Sequence, residues 1–331
     1  MIDFENDKNC GWTISFLNRL NIKKLSKNLF CDYLIVGAGF TGLSAARKLS
    51  QIENNKKIII VDAQLAGNGA SSRNSGYLVE STMNDGFVSS KNNKDYKTKC
   101  DLYSLGIEKV KKFITQHQVD CDWNECGKYY ASSKIEDEKK LTRFNNMLSS
   151  LKIKNQILYK DDLQNRLGTE FYKIGIYTNG GILLNPAKLA RSMVDSLPEN
   201  VTLYENSPLL KWETINKKIN CTLSRGTINA SSIIFCTNGF LSSLGIESHY
   251  SFPLLLTASM TRRLTDKEFN QIGSPSEWGV LSIRPMGATV RMTNDRRILI
   301  RNTVSIHKNY TNIESNKNIH LKGILKRFPS L

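Results

Sequence analysis

The sequence contains no run of eighteen apolar residues, the length a membrane-spanning helix needs, so no transmembrane segment is expected. No secretory leader is expected either. Met1-Ile2-Asp3-Phe4-Glu5-Asn6-Asp7 is acidic where a secretory signal is basic, and the stretch Trp12–Leu17 is too short and polar for a signal core. A cytoplasmic location is the resulting expectation. Histidine is scarce: His117, His249, His307 and His320 are the full set, and none sits in a nucleophile or metal pattern. Surface or structural roles are expected for all four. No Gly-x-Ser-x-Gly elbow and no Walker A loop occurs. Neither an internal repeat nor a low-complexity block is evident.

The cysteines form no framework. Cys10, Cys31, Cys100, Cys121, Cys126, Cys221 and Cys236 are scattered and odd in number, which fits reduced, mostly buried thiols. Cys121 and Cys126 have four residues between them and no second pair, so zinc is not expected. The acidic stretch Asp120–Gly127 lacks calcium-loop spacing and reads as a turn before a strand.

Positive charge is abundant. Lys and Arg number 46 against 30 Asp and Glu, a formal net charge of +16. The lysines are spread along the chain, as in Lys23-Lys24, Lys56-Lys57, Lys111-Lys112 and Lys139-Lys140. No basic block is interleaved with aromatics, so a solvated surface is expected rather than a nucleic-acid face.

Along the chain, residues 1–30 read as a lead-in of weak helical character. Tyr33-Leu34-Ile35-Val36 and Lys57-Ile58-Ile59-Ile60-Val61 are short apolar runs of the kind that form buried parallel strands. Between them lie Gly37-Ala38-Gly39-Phe40-Thr41-Gly42 and a helical pattern over Leu43–Leu49. Helices are predicted over 95–118, 137–151 and from Pro186 to about Leu197, the last with Asn185 as N-cap. Strands are predicted at 127–133, 174–177, 201–204, 219–223, 227–230 and 233–236. The segment 250–304 is strand-rich. Nucleotide-sheet strands near 33, 58 and 233, separated by segments of another kind, imply two domains, each discontinuous.

The glycines carry the chemistry. Gly37 permits a tight turn, Gly39 lets the backbone approach a pyrophosphate, and Gly42 lets the helix pack close to the strand. The helix start then offers unpaired N–H groups to phosphate. Asp62 ends the second strand twenty residues past Gly42, the place of an acid that binds an adenosine ribose. An acid there favours FAD or NAD over NADP. The small residues of Gly67–Gly76 would let that loop lie against a cofactor, with Arg73 offering charge to a pyrophosphate or holding the loop.

The run Val36–Ala46, followed by Gly69-Ala70-Ser71-Ser72-Arg73-Asn74-Ser75-Gly76, resembles the D-amino-acid oxidase, glycine oxidase and sarcosine oxidase superfamily, closest to the gamma-glutamylputrescine oxidase-like group. The likeness extends over about residues 12–331. Gly181–Ala190 resembles the segment where a helix returns to the FAD domain. Tyr204–Leu209 resembles a strand whose backbone touches adenine, with Leu209 where Val is usual. Phe235–Gly239 resembles the strand end near the pyrophosphate, and Arg291–Ile300 a late hairpin of the substrate domain.

That resemblance implies an α/β protein: a Rossmann-type FAD-binding domain with a second, mixed or antiparallel-sheet substrate domain. The FAD domain would comprise 31–85, 180–245 and 306–331, and the substrate domain 86–179 and 246–305. FAD contacts would come from Gly37, Ala38, Gly39, Phe40, Thr41, Gly42, Asp62, Ala63, Gly69, Ala70, Ser71, Arg73, Asn74, Ser75, Gly76, Leu209, Thr237 and Asn238. The implied reaction is oxidation of a C–N bond in an amine or amino acid, with oxygen or another acceptor reoxidising the flavin. No catalytic base is assigned. Arg284, Arg291 and Arg301 fall in the substrate segment, where one could take a substrate carboxylate, although packing or surface roles are commoner. Members of the family continue beyond a segment like Phe328-Pro329-Ser330-Leu331 with a glycine-rich unit that closes over the flavin, which this chain is expected to lack. Three other readings stay open: a nicotinamide-dependent dehydrogenase, a flavin-containing RNA-modifying enzyme, and a non-catalytic remnant.

Overall fold

The computed structural model describes residues 10–13, 21–83, 93–246, 254–284, 287–306 and 313–331. Expectations for most of the lead-in, for His249 and His307, and for residues 307–312 fall outside these. In chain order the first strands are β1 (Leu29–Val36), β2 (Ile58–Val61), β3 (Tyr77–Val79), β4 (Lys128–Ser132), β5 (Asn155–Tyr159), β6 (Ile174–Thr178) and β7 (Gly181–Leu183). They are followed by β8 (Val201–Tyr204), β9 (Leu209–Ile215), β10 (Lys218–Leu223), β11 (Gly226–Phe235), β12 (Leu254–Met260), β13 (Trp278–Ser282), β14 (Thr289–Met292) and β15 (Ile298–Ile306). The helices are α1 (Phe40–Ile52), α2 (Asn93–Gln116), α3 (Glu138–Ser150), α4 (Lys160–Leu167), α5 (Pro186–Asp195), α6 (Asp266–Gln271) and α7 (Ile313–Leu325). The chain divides into two units, residues 1–74 with 185–253, and residues 75–184 with 254–331.

The first unit is built on a six-stranded sheet in the order β8-β2-β1-β11-β10-β9. β8, β2, β1 and β11 run parallel, and β11, β10 and β9 form an antiparallel meander. All four residues of β2 are fully buried, as an apolar run covered on both faces must be. Gly42, Leu43 and Ala46 form the buried stripe of α1. Asn185 caps α5, its side-chain oxygen accepting the N–H groups of Ala187 and Lys188 at 3.1 Å, with Pro186 at the first position. The segments 227–230 and 233–236, predicted as separate strands, form one ten-residue strand through Phe235. β11 pairs antiparallel with β10 along one edge and parallel with β1 along the other, which carries it through the polar Ser231-Ser232 step. Of Tyr204–Leu209, expected as a strand, Tyr204 ends β8 and Leu209 opens β9, and residues 205–208 turn between them, with Asn206 at φ 48°.

The second unit holds a seven-stranded mixed sheet, β12-β15-β14-β13-β4-β6-β5, in which only β13 and β4 pair parallel. Strand alternation sends Tyr129 to one face and Tyr130 to the other. Tyr129 joins Trp278, Val280, Met292 and Ile300 in a core closed by Ile324 and Phe328. Tyr130 joins Ile174 and Ile176 under Leu141, Phe144 and Leu148 of α3. β3 and β7 form a separate two-stranded ribbon, Tyr77 opposite Leu183.

The unit boundaries differ from those expected of the two domains. Residues 75–85 and 180–184 group with the second unit because β3 pairs with β7. The tail 306–331 does so because α7 packs on β15 and β12 and lends Ile324 to that core. Among the described residues no helix is long and apolar enough to cross a membrane.

Candidate functional site

In the first unit the chain leaves β1 at Val36 and turns at Gly37, whose φ of +105° lies where a side chain is strained. A Cβ there would stand 2.4 Å from the carbonyl oxygen of Cys236. Gly37 donates its N–H to Val61 O at 2.8 Å, locking the turn to the end of β2. A Cβ on Gly42 would lie 1.9 Å from Gly37 O, so the third glycine lets α1 begin directly against the turn. At Gly39, the N-cap of α1, no side chain of its own caps the helix. The positive end of the helix dipole lies at this turn.

Three segments converge on that helix start. Asp62 accepts from Ala38 N–H at 2.7 Å and Gln64 N–H at 2.8 Å. Burial raises the Asp62 carboxyl above its ordinary pKa; the two N–H donors oppose this, and nearby Glu205 adds to it. Ala63 follows in the bend after Asp62. The loop after β2 returns across the turn: Gly67 N–H donates to Ala38 O at 3.0 Å, and Ser71 Oγ accepts Phe40 N–H at 2.8 Å. Arg73 donates through Nε to Asn68 O at 2.9 Å, and Asn74 donates to the carbonyls of Ala70 and Ser71. Arg73 thus holds its own loop. From the far side comes Thr237, whose Oγ1 is buried with no hydrogen-bond partner among the described residues. Asn238 follows at φ 50°.

The structure therefore brings Gly37–Gly42, Asp62, the 69–74 loop and Thr237 together. Leu209 stands at the start of β9, paired with Leu223. Ser75 and Gly76 fall in the second unit, where both carbonyls accept from Arg291. The fit to a dinucleotide is good on the features themselves: a glycine turn with no room for Cβ atoms at Gly37 and Gly42, a helix start without a cap of its own, a half-buried acid, and a hydroxyl at the rim with no partner among the described residues.

The candidate arginines of the second unit have separate fates. Arg291 is 1% exposed; it donates to Ser75 O, Gly76 O and Leu184 O at 2.7–3.1 Å and pairs with buried Glu277 at 2.7 Å. It is a structural hub. Arg284 is exposed and pairs with Asp137. Arg301, half-buried, donates to Thr289 Oγ1 at 2.9 Å. Sequence reasoning did not single out Lys128. It is fully buried, with Nζ on Ser81 Oγ at 3.0 Å and Gly180 O at 2.9 Å, and burial lowers its pKa to about 8. A lysine in a strand of otherwise buried residues, Lys128-Tyr129-Tyr130-Ala131, was the available signal. None of the seven cysteines is in a disulfide, and five of them are buried.

The family model for FAD dependent oxidoreductases (DAO) matches residues 32–331. Gamma-glutamylputrescine oxidoreductase of Escherichia coli is 25% identical over 288 residues, covering 83% of this chain and 65% of that protein. A probable oxidoreductase, OrdL, of Haemophilus influenzae is 24% identical over 237 residues, 66% of this chain and 51% of that protein. The chain thus spans between half and two-thirds of these relatives. Among solved structures, glycine oxidase of Geobacillus kaustophilus matches with a TM-score of 0.72 at 16% identity, over 91% of this chain and 79% of that one. That likeness is one of fold.

Proposed function

Because the chain belongs to the family of FAD-dependent oxidoreductases, we propose that it binds FAD through its first unit and oxidises the C–N bond of an amine or amino acid. The observation that carries this is the glycine turn at the start of α1, closed by Asp62 and the 69–74 loop. Gly37, Ala38, Gly39, Phe40, Thr41 and Gly42 present backbone to the pyrophosphate, which the helix dipole favours. Asp62 and Ala63 take the adenosine ribose. Ser71 Oγ, already on the Phe40 N–H, stands where a phosphate oxygen is stabilised. Gly69, Ala70, Arg73, Asn74, Ser75 and Gly76 line the cofactor, Leu209 meets the adenine, and Thr237 with Asn238 closes the pyrophosphate side. Thr237 Oγ1, buried without a partner among the described residues, gains one there.

When bound, the flavin supplies the hydride acceptor, and oxygen or another acceptor restores it. The substrate leaves as an imine that hydrolyses in water. The second unit, with its mixed sheet, takes the substrate. The names of the relatives support an amine or amino acid. Seven scattered cysteines outside any disulfide support a reducing, cytoplasmic location.

The test is the visible spectrum of the purified chain, with and without added FAD, after desalting. A retained flavin band that bleaches anaerobically with an amine or amino acid is the expected result. Absence of any band after FAD addition would sink the reading.

A further inference from the structure

Residues 10–13 form a short turn, closed by Thr13 N–H and Oγ1 on Cys10 O at 2.9 and 3.0 Å. This turn sits on the 69–74 loop. Trp12 Nε1 donates to Asn74 O at 2.7 Å, and Cys10 Sγ to Ser72 O at 3.7 Å. Both side chains are buried, Cys10 to 7% and Trp12 to 8% exposure. Sixty-two residues of chain separate each pair. We propose that Trp12 is a positioning residue that clamps the 69–74 loop in its cofactor-holding conformation and so sets FAD affinity; this rests on the reading of that loop as part of the FAD site.

The physical argument is one of two ends. The front of the loop is tied to the helix start, Ser71 Oγ to Phe40 N–H, and Gly67 N–H to Ala38 O. Within the loop, Arg73 donates to Asn68, Asn74 to Ala70 and Ser71, and the Ser72 and Arg73 N–H groups to Gly69 O. Internal bonds hold a shape but do not anchor it. Trp12 and Cys10 supply anchoring at the back, through backbone carbonyls, so the grip is independent of the loop's side chains. A rigid indole with a single N–H serves this well: it buries a large apolar area and spends its one polar atom on the loop. Without the clamp the loop must be ordered by the cofactor itself, and that ordering is subtracted from binding.

The experiment compares the wild-type chain with Trp12→Phe, which keeps an aromatic ring and removes the N–H, and with Ser50→Ala. Ser50, near the far end of α1, donates to Asn200 Oδ1 at 2.6 Å, so its removal costs the same unit one hydrogen bond away from the loop. FAD is titrated into each and followed by the flavin visible band. In parallel, amide hydrogen exchange of residues 68–74 is measured without FAD. Expected for Trp12→Phe are a dissociation constant raised about 3- to 10-fold, the scale of one lost hydrogen bond, and faster exchange in the loop. Ser50→Ala should leave both at the wild-type level. Exchange and affinity unchanged in Trp12→Phe, or changed equally in Ser50→Ala, would overturn the clamp. If the wild-type chain binds no FAD while Trp12→Phe still loosens the loop, the FAD reading fails and the clamp on the loop stands.

Discussion

Arg291 and Glu277 show how one pair can hold several distant segments. Both are buried, and the guanidinium satisfies three backbone carbonyls that lie far from it in sequence. Asn124 Nδ2 completes the set on Glu277 Oε2 at 2.7 Å. Removing one partner leaves a buried charge uncompensated. Arg291→Met is therefore expected to cost about 3–5 kcal/mol in urea unfolding; a loss below about 1 kcal/mol would contradict the hub. The sequence singled out Arg291 with Arg284 and Arg301 and favoured a packing or surface role, but it showed none of the partners. Its partners are carbonyls more than a hundred positions away, and a carbonyl carries no residue signature. The place of Asp62 beside the glycine turn was legible for the opposite reason: it follows from a spacing within one local βαβ unit. The docking of Trp12 onto Asn74 was not, since both ends are local in neither sequence nor pattern.

At the scale of elements, α7 is seated by a histidine. His320 is 1% exposed, with Nδ1 against Ser259 Oγ of β12 at 2.7 Å and Nε2 against Thr303 Oγ1 of β15 at 3.0 Å. Burial lowers its pKa below the ordinary 6.5. A base whose folded pKa is depressed binds fewer protons in the native state than in the unfolded one. The stability it allows is thus complete above 6.5 and is lost as pH falls from there toward the folded value. Thermal midpoints at pH 7.5 and 5.5 should differ more for the wild type than for His320→Gln; equal differences would show that His320 does not contribute. The elements were unequally legible. β1, α1, β2 and α5 announce themselves through apolar runs, glycine punctuation and the Asn185-Pro186 start. β9 has mostly exposed residues and no clean alternation, and β5 with α4 is short and polar-flanked, so tertiary pairing defines them. The two polar serines in β11 divided on paper a strand that pairing with β1 keeps whole.

At the scale of the whole molecule, each unit draws on two stretches of chain. In the second unit β4 lies between β6 and β13, so residues 75–184 alone provide β5, β6 and β4 with a further edge opened at β4 and no α7. Most of the core around Trp278, Met292 and Ile300 is then missing. A fragment of residues 75–184 should show no cooperative thermal transition by circular dichroism; a sharp transition would show that three strands and their helices suffice.

The parallel pairing of β1 with β11 sets a schedule for synthesis. β1 is made by residue 36, yet its neighbour on one side ends at residue 235, so the glycine turn waits for nearly two hundred residues before that side of its sheet exists. Translation at about 5–20 residues per second makes this an interval of roughly ten seconds or more. Throughout it, an apolar strand stands with an unpaired edge on the nascent chain, the kind of surface that chaperones shield and that aggregates when they do not. Yield on expression should therefore respond to growth temperature and chaperone supply more sharply than the stability of the finished protein would suggest.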